Sequence, residues 1–132
     1  MAGELILIVE DNDKNLKLAR DVLRYHGYET LEAVTAGEAI ALAVEHLPQL
    51  VLMDIQLPDM DGITALARLR DEAATKAIPV VALTALAMQS DRDRIMQAGF
   101  DGYLSKPIDV KTFADQVRPY CSPVENGPQE EG

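Results

Sequence analysis

The run Leu50-Val51-Leu52-Met53-Asp54 constrains this chain more than any other stretch. Four consecutive apolar residues leave no polar face, so a strand built from them must be covered on both sides. The run ends in a carboxylate, and the turn-forming sequence Leu57-Pro58-Asp59-Met60-Asp61-Gly62 follows almost at once. Carrying an acid on a buried strand costs solvation free energy. That placement makes Asp54 the first candidate for chemistry.

The rest of the chain repeats the pattern and alternates it with helical periodicity. Leu5-Ile6-Leu7-Ile8-Val9 is a second aliphatic run, rich in β-branched residues, and it ends in Glu10-Asp11-Asn12-Asp13. Asn12 or Asp13 can cap the helix that follows, whose inward face is Leu16, Ala19, Val22 and Leu23 and whose end is Gly27. Tyr28–Ala33 reads as a weaker strand with the charges of an edge position. Thr35 opens a helix with Ala39, Ile40, Ala43, Val44 and Leu47 on one side, and Pro48 stops it. After Gly62, which suits a tight turn, a third helix places Ile63, Leu66 and Ala67 inward with Leu69 at the margin. Arg68 and Arg70 are expected in solvent, and the helix is expected to end near Ala73 or Ala74.

Ile78–Thr84 is the fourth strand, with Pro79 near its start, where a missing N–H is tolerated. A helix lies within Ala85–Ala98, closed by Gly99, and Gly102–Ser105 is a short fifth strand. A last helix runs from Val110 to about Arg118 with Phe113, Ala114 and Val117 inward and Pro119 at its end. Met53, Met60, Met88 and Met96 read as packing residues, with Met88 also a candidate to face a partner. Strands alternating with helices predict an α/β fold: a five-stranded parallel sheet, doubly wound, in the flavodoxin-like order 2-1-3-4-5 with helices on both faces. Residues 1–121 form this domain, and residues 122–132, with three acids and no base, read as a disordered acidic tail.

Charge and cysteine content narrow the function. The 132 residues carry a net charge of −10, which argues against direct nucleic-acid binding because phosphate contacts need Lys and Arg. No apolar run approaches the ~20 residues of a membrane span, and the N-terminus lacks the basic region of a signal peptide, so a cytoplasmic protein without membrane insertion is expected. The single Cys121 has no internal disulfide partner, which agrees with a reducing compartment. His26 and His46 sit at helix ends, away from the acids, and read as surface capping residues.

In doubly wound sheets, ligands bind beyond the carboxyl ends of the strands at the switch in strand order. Here those ends are Glu10 and Asp11, Asp54, Thr84 and Lys106. With the first and third strands adjacent, three carboxylates converge and repel one another unless a positive charge sits among them. Mg²⁺ suits such an all-oxygen site, Lys106 adds a second positive charge, and Thr84 offers a hydroxyl. Taken singly, Glu10 and Asp11 could be an acidic capping turn, Thr84 a helix cap and Lys106 a solvated turn residue; together they read as a site.

The set resembles the receiver domain of two-component response regulators over about residues 4–120. Ile8-Val9-Glu10-Asp11-Asn12, Met53-Asp54-Ile55-Gln56-Leu57-Pro58 and Ser105-Lys106-Pro107-Ile108 further resemble the DivK-type single-domain regulators. The resemblance implies that Asp54 accepts a phosphoryl group from a phosphohistidine of a sensor histidine kinase or a histidine phosphotransfer protein. It implies Mg²⁺ held by Asp11, Asp54 and the backbone carbonyl of Gln56, with Glu10 acting through a metal-bound water. Lys106 would pair with one phosphoryl oxygen and Thr84 would donate to another. The Lys106–Pro107 peptide bond would be cis, and Tyr103 would be the switch aromatic that turns inward as Thr84 moves. A downstream protein target would read a changed surface of the fourth helix, fifth strand and fifth helix, to which Ala85-Leu86-Ala87-Met88 offers small and apolar residues. Gln56 and Leu86 are candidates to govern water access and hydrolysis, and a monomer or weak dimer is expected. Autophosphorylation and slow dephosphorylation would not make the protein a turnover enzyme.

Three other readings turn on particular residues. A phosphatase of the haloacid-dehalogenase class needs a second Asp two residues after its nucleophile, and that position is Gln56. A flavodoxin-type electron carrier needs a first loop that binds phosphate, which Glu10-Asp11-Asn12-Asp13 would repel. A phosphorylation-independent receiver-like protein-binding module would have no use for the intact acids and lysine.

Overall fold

The structure, a computed structural model, describes residues 3–85 and 88–121. The partner-facing candidates Leu86 and Ala87 and the tail 122–132 lie outside the described residues. Five strands alternate with five helices: β1 Leu5–Val9, α1 Asp13–Tyr25, β2 Glu29–Ala33, α2 Ala36–His46, β3 Leu50–Asp54, α3 Gly62–Asp71, β4 Val80–Thr84, α4 Gln89–Ala98, β5 Gly102–Ser105 and α5 Phe113–Cys121. All neighbouring strands are parallel, in the order β2-β1-β3-β4-β5. The fold class, strand order and edge position of β2 agree with the sequence reading.

Strand alternation divides the interior into two layers. Ile6, Ile8, Leu50, Leu52, Val81, Leu83 and Leu104 face α1 and α5, where they meet Leu16, Leu23, Phe113 and Val117. Leu7, Val9, Val51, Met53, Val80 and Ala82 face the other way, against Ala39, Ala43, Leu66, Leu69 and Ile95. Every residue of β3 and β4 is buried, as their unbroken apolar runs require. Each fully buried Leu, Ile or Val side chain contributes about 1.5–3 kcal/mol, so these two layers supply the main stabilisation that holds the strand ends in place.

Several boundaries and faces differ from those expected. Tyr28 is not in β2, because its N–H closes the α1 terminus by donating to Leu23 O at 3.1 Å. β4 begins at Val80, since Pro79 has no N–H for the ladder, although its carbonyl accepts from Val51 N at 3.0 Å. α3 ends at Asp71, because buried Thr75 donates its hydroxyl to Leu69 O at 2.6 Å and turns the chain back. On α2, Ala36 takes part in the buried face while Val44 and Leu47 are exposed; Leu47 is the helix cap, with a left-handed φ of 50°. On α3, Ala65, Leu66 and Leu69 are buried and Ala67 is exposed. Met88 and Met96 are exposed rather than packed.

Arg70 is not a solvent arginine. It donates to Ile78 O at 2.6 Å and Lys76 O at 3.2 Å and pairs with Asp101 at 3.0 Å, while Asp101 also accepts from Val80 N at 2.8 Å. One guanidinium thus fixes the entries to β4 and β5. α5 continues through Pro119 to buried Cys121, because a proline in the last turn removes a single N–H while Val117 and Cys121 keep that turn packed on the sheet. Burial pushes the Cys121 thiol up to about 12, so it is an inert packing residue.

Gly62 has a different role from the one its turn context suggested. It opens α3 with an ordinary negative φ, and a Cβ there would meet Asp54 O at 2.8 Å and Ile55 Cα at 2.9 Å. Glycine is required by close backbone approach, directly beneath Asp54. At Gly102 the obstacle to a Cβ is the Tyr120 ring, which can swing away. Gly62→Ala is therefore expected to lower stability by about 2 kcal/mol or more, and Gly102→Ala by clearly less, in urea unfolding. Equal losses would show that the backbone beneath Asp54 is free to move.

Candidate functional site

The register of the sheet assembles the site. Val9 lies opposite Met53, so the next residues, Glu10 and Asp54, leave the sheet side by side. Asp54 pairs in turn with Leu83, and Thr84 with Ser105. Lys106 follows β5 directly, its N–H donating to Thr84 O at 2.8 Å. By alternation Glu10, Asp54 and Lys106 continue the side of the sheet that carries Ile8, Leu52 and Leu104, and Thr84 and Tyr103 continue the opposite side. Thr84, the last residue of β4, stands at the strand ends beside this group, and Tyr103 lies deeper on its own side of the sheet.

Glu10 and Asp54 are 1 % and 6 % exposed, whereas Asp11 is exposed. The Lys106 ammonium lies 2.8 Å from Glu10 Oε1 and 2.8 Å from Asp54 Oδ2. Only the Asp54 contact has hydrogen-bond alignment; Glu10 Oε1 is shielded from water with no aligned donor among the described residues. The remaining oxygens are held by backbone: Asp54 Oδ1 accepts from Gln56 N at 2.9 Å, and Glu10 Oε2 from Asn12 N at 3.2 Å. Asn12 also caps α1 by accepting from Lys14 N and Asn15 N, so the loop that orients Glu10 is fixed at both ends.

Burial pushes the Glu10 carboxyl up, Lys106 pulls it back, and the neighbouring Asp54 pushes it up again, leaving it above its ordinary value. Burial would lower the Lys106 ammonium, but its contacts with Asp54 and Glu10 outweigh that and raise it. The directions are consistent: the lysine sees two opposite charges, whereas Glu10 sees one opposite charge, one like charge and little water.

Ligand oxygens of Glu10, Asp11 and Asp54 lie within 4.8 Å of one another. Three carboxylates against one ammonium leave two negative charges over, the charge of one divalent cation. The donors are hard oxygens, one of them is buried without a hydrogen bond, and Asp11 keeps the cluster open to water; this set fits Mg²⁺, which keeps part of its hydration shell.

The β3–α3 loop is pinned more firmly than its sequence indicated. Asp59 accepts from Ala36 N at 2.8 Å and Gly37 N at 2.9 Å at the start of α2, and these bonds hold its carboxyl below the ordinary range. Asp61 caps α3 through Thr64 N at 2.8 Å, which lowers it likewise, and Gly62 N donates to Ile55 O at 2.7 Å. Asp61 is legible as a cap from its place before a helix. Asp59, reaching 23 residues back to Ala36, has no local sequence signal.

Thr84 is buried. Tyr103 is half-buried on the same side of the sheet as Thr84, and the Lys106–Pro107 bond is cis. Neither histidine approaches the acids: His26 caps α1, and His46 lies exposed beside Glu45 at 3.8 Å. No helix among the described residues is long and apolar enough to cross a membrane.

The family described as the response regulator receiver domain matches residues 6–118. The chain belongs to that family. It is 46 % identical over 115 residues to the polar-differentiation response regulator DivK of Brucella ovis, covering 87 % of this chain and 94 % of the relative, and equally so to DivK of Brucella anthropi. Among solved structures, a response regulator from Chloroflexus aurantiacus superposes with a TM-score of 0.84 at 32 % identity, covering 90 % of this chain and 98 % of the other. The receiver domain of a sensor histidine kinase from Pseudomonas aeruginosa, with magnesium coordinated in its active-site cleft, gives 0.83 at 33 % identity, covering 91 % and 98 %. This receiver is thus a signalling module of two-component systems, of the DivK type, rather than a turnover enzyme.

Among the described residues Lys106 is the one ammonium on the two buried carboxylates, which sets a pH dependence. In Lys106→Met the burial and the Asp54 repulsion that raise Glu10 act unopposed. A carboxyl whose folded pKa lies above its unfolded one contributes stability at low pH that is lost as pH rises through the folded value. The variant is expected to melt close to wild type near pH 5 and to lose about 2 kcal/mol relative to it by pH 8, a figure that allows for partial solvation. A difference independent of pH in thermal unfolding would contradict this electrostatic account.

Proposed function

We propose that this receiver, running to the end of α5 at Cys121, takes a phosphoryl group onto Asp54 from a phosphohistidine of a sensor kinase or histidine phosphotransfer protein. The observation that carries this reading is the Lys106 ammonium 2.8 Å from both Asp54 and Glu10, on a buried carboxylate pair at the switch in strand order. A nucleophile for phosphoryl transfer needs positioning and charge neutralisation more than covalent assistance, and Asp54 has both oxygens fixed, one by Gln56 N–H and one by Lys106. An Asp54 carboxylate oxygen forms the new bond to phosphorus as the phosphorus–nitrogen bond of phosphohistidine breaks. The imidazole leaves with that electron pair, and the product is an acyl phosphate.

Asp11, Asp54 and the Gln56 carbonyl would hold Mg²⁺ directly, with Glu10 acting through a bound water. When bound, the cation neutralises charge that develops on the phosphoryl oxygens. Lys106 pairs with one of those oxygens, and the Thr84 hydroxyl donates to another. Thr84 and Tyr103 lie on the same side of neighbouring strands, so movement of the first bears on the second. The switched surface is α4, β5 and α5, which a cytoplasmic protein target reads, the receiver itself being a monomer or weak dimer. Exposed Met88 and Met96 on the α4 side give that surface an apolar component. The intact acids and lysine speak against a purely phosphorylation-independent binding module.

Incubation with acetyl phosphate and Mg²⁺ followed by intact-mass measurement tests the reading. Wild type is expected to gain one phosphoryl group, to fail to gain it when Mg²⁺ is chelated, and Asp54→Asn is expected to remain unlabelled. Equal labelling of both proteins would overturn the assignment of Asp54.

A further inference from the structure

Arg92 of α4 is a half-buried cation with no carboxylate partner among the described residues. The acids flanking it in sequence are engaged elsewhere: Asp91 pairs with Arg94 at 3.8 Å, and Asp93 accepts from Gln89 Nε2 at 2.9 Å. Arg92 Nε is shielded from water and has no hydrogen-bond acceptor among the described residues. The guanidinium carbon lies 5.7 Å from the centroid of the Tyr103 ring. A shielded N–H without an acceptor costs free energy, and an arginine on an exposed helix face ordinarily turns its head group to water. The negative face of an aromatic ring is the interaction that offsets the cost here.

The contact matters because α4 is held by little else. Ile95 is its one buried residue among those described, and its N-cap, Met88, makes no side-chain capping bond. α1 by contrast buries Leu16, Ala19, Val22 and Leu23 and is capped by Asn12. Tyr103 pairs in register with Ala82, two residues before Thr84, and its ring lies on the Thr84 side of the sheet. The guanidinium therefore ties a weakly anchored helix to a β5 residue on the Thr84 side of the sheet.

We infer that Arg92 is the positioning residue for Tyr103: its contact with the ring holds Tyr103 and α4 together in the unphosphorylated protein, so release of the ring and release of the helix are one event. This rests on the reading of Asp54 as phosphoacceptor and Tyr103 as switch residue. A phosphoryl group or its analogue shifts the protein to the switched state against whatever interactions favour the resting one. Removing a contact of this class lowers that opposition and raises apparent affinity for the analogue by roughly three- to tenfold.

The test uses the full chain, beryllofluoride with Mg²⁺ as the phosphoryl analogue, and calorimetric titration. Incorporated 3-fluorotyrosine reports on the four tyrosines, with the Tyr103 resonance assigned through Tyr103→Phe. In wild type the Tyr103 resonance is expected to move on binding. Arg92→Met and Arg92→Gln are expected to bind the analogue roughly three- to tenfold more tightly, and Arg92→Lys, which keeps a cation over the ring, to stay within about twofold of wild type. In a Tyr103→Leu background, Arg92→Met is expected to have no effect. If the wild-type resonance moves but Arg92→Met matches wild type, or its effect persists without Tyr103, the Arg92 inference fails while the Tyr103 switch stands. If the wild-type resonance does not move although the analogue binds, the switch reading fails and the Arg92 inference with it. Absence of binding in wild type overturns both, together with the reading of Asp54.

Discussion

The Lys106 ammonium, 2.8 Å from Glu10 and 2.8 Å from Asp54, is what makes the carboxyl end of this sheet tolerable as a structure. Two carboxylates removed from water side by side repel one another, and the exposed Asp11 adds to the repulsion. One lysine offsets part of that charge and leaves a negative remainder that a divalent cation would balance. The arrangement leaves the site incomplete in electrostatic terms. An incoming cation would find opposite charge already in place there.

Everything around the site fixes its geometry at positions that cannot easily adjust. The β1–β3 register sets Glu10 beside Asp54, the Asn12 cap fixes the first loop, and Gly62 lets α3 start against the backbone of Asp54. Asp59 ties the β3–α3 loop to the start of α2, and Arg70 ties the entries of β4 and β5 together. α4 is the contrast, with one buried residue and no side-chain cap. Rigid support on the side of the acids and loose support at α4 match a division between chemistry and signalling.

The strands and the site were legible in the sequence for one reason: each central strand is an unbroken apolar run, so the first polar residue after it marks the sheet edge. Glu10, Asp54 and Thr84 stand out that way, whereas Lys106 follows the polar Ser105 of edge strand β5 and is marked by the Lys-Pro turn. The helix faces were less legible where alanine carries the contact, as at Ala36 and Ala65, because a small side chain gives a weak periodic signal although it permits close packing. Arg70, Asp59 and Arg92 were missed because each acts across the fold on a backbone group or ring that no local spacing encodes. Pro119 was misread as a stop because the packing of Val117 and Cys121 overrides the single missing hydrogen bond.

Lys106 and a divalent cation would compete for charge on the same carboxylates. Calorimetric titration of Mg²⁺ into wild type and Lys106→Met, at a pH where both are folded, tests it directly. Removal of the ammonium is expected to tighten Mg²⁺ binding roughly tenfold, since a positive charge a few ångströms from the cation is lost. Equal or weaker binding by the variant would contradict the account.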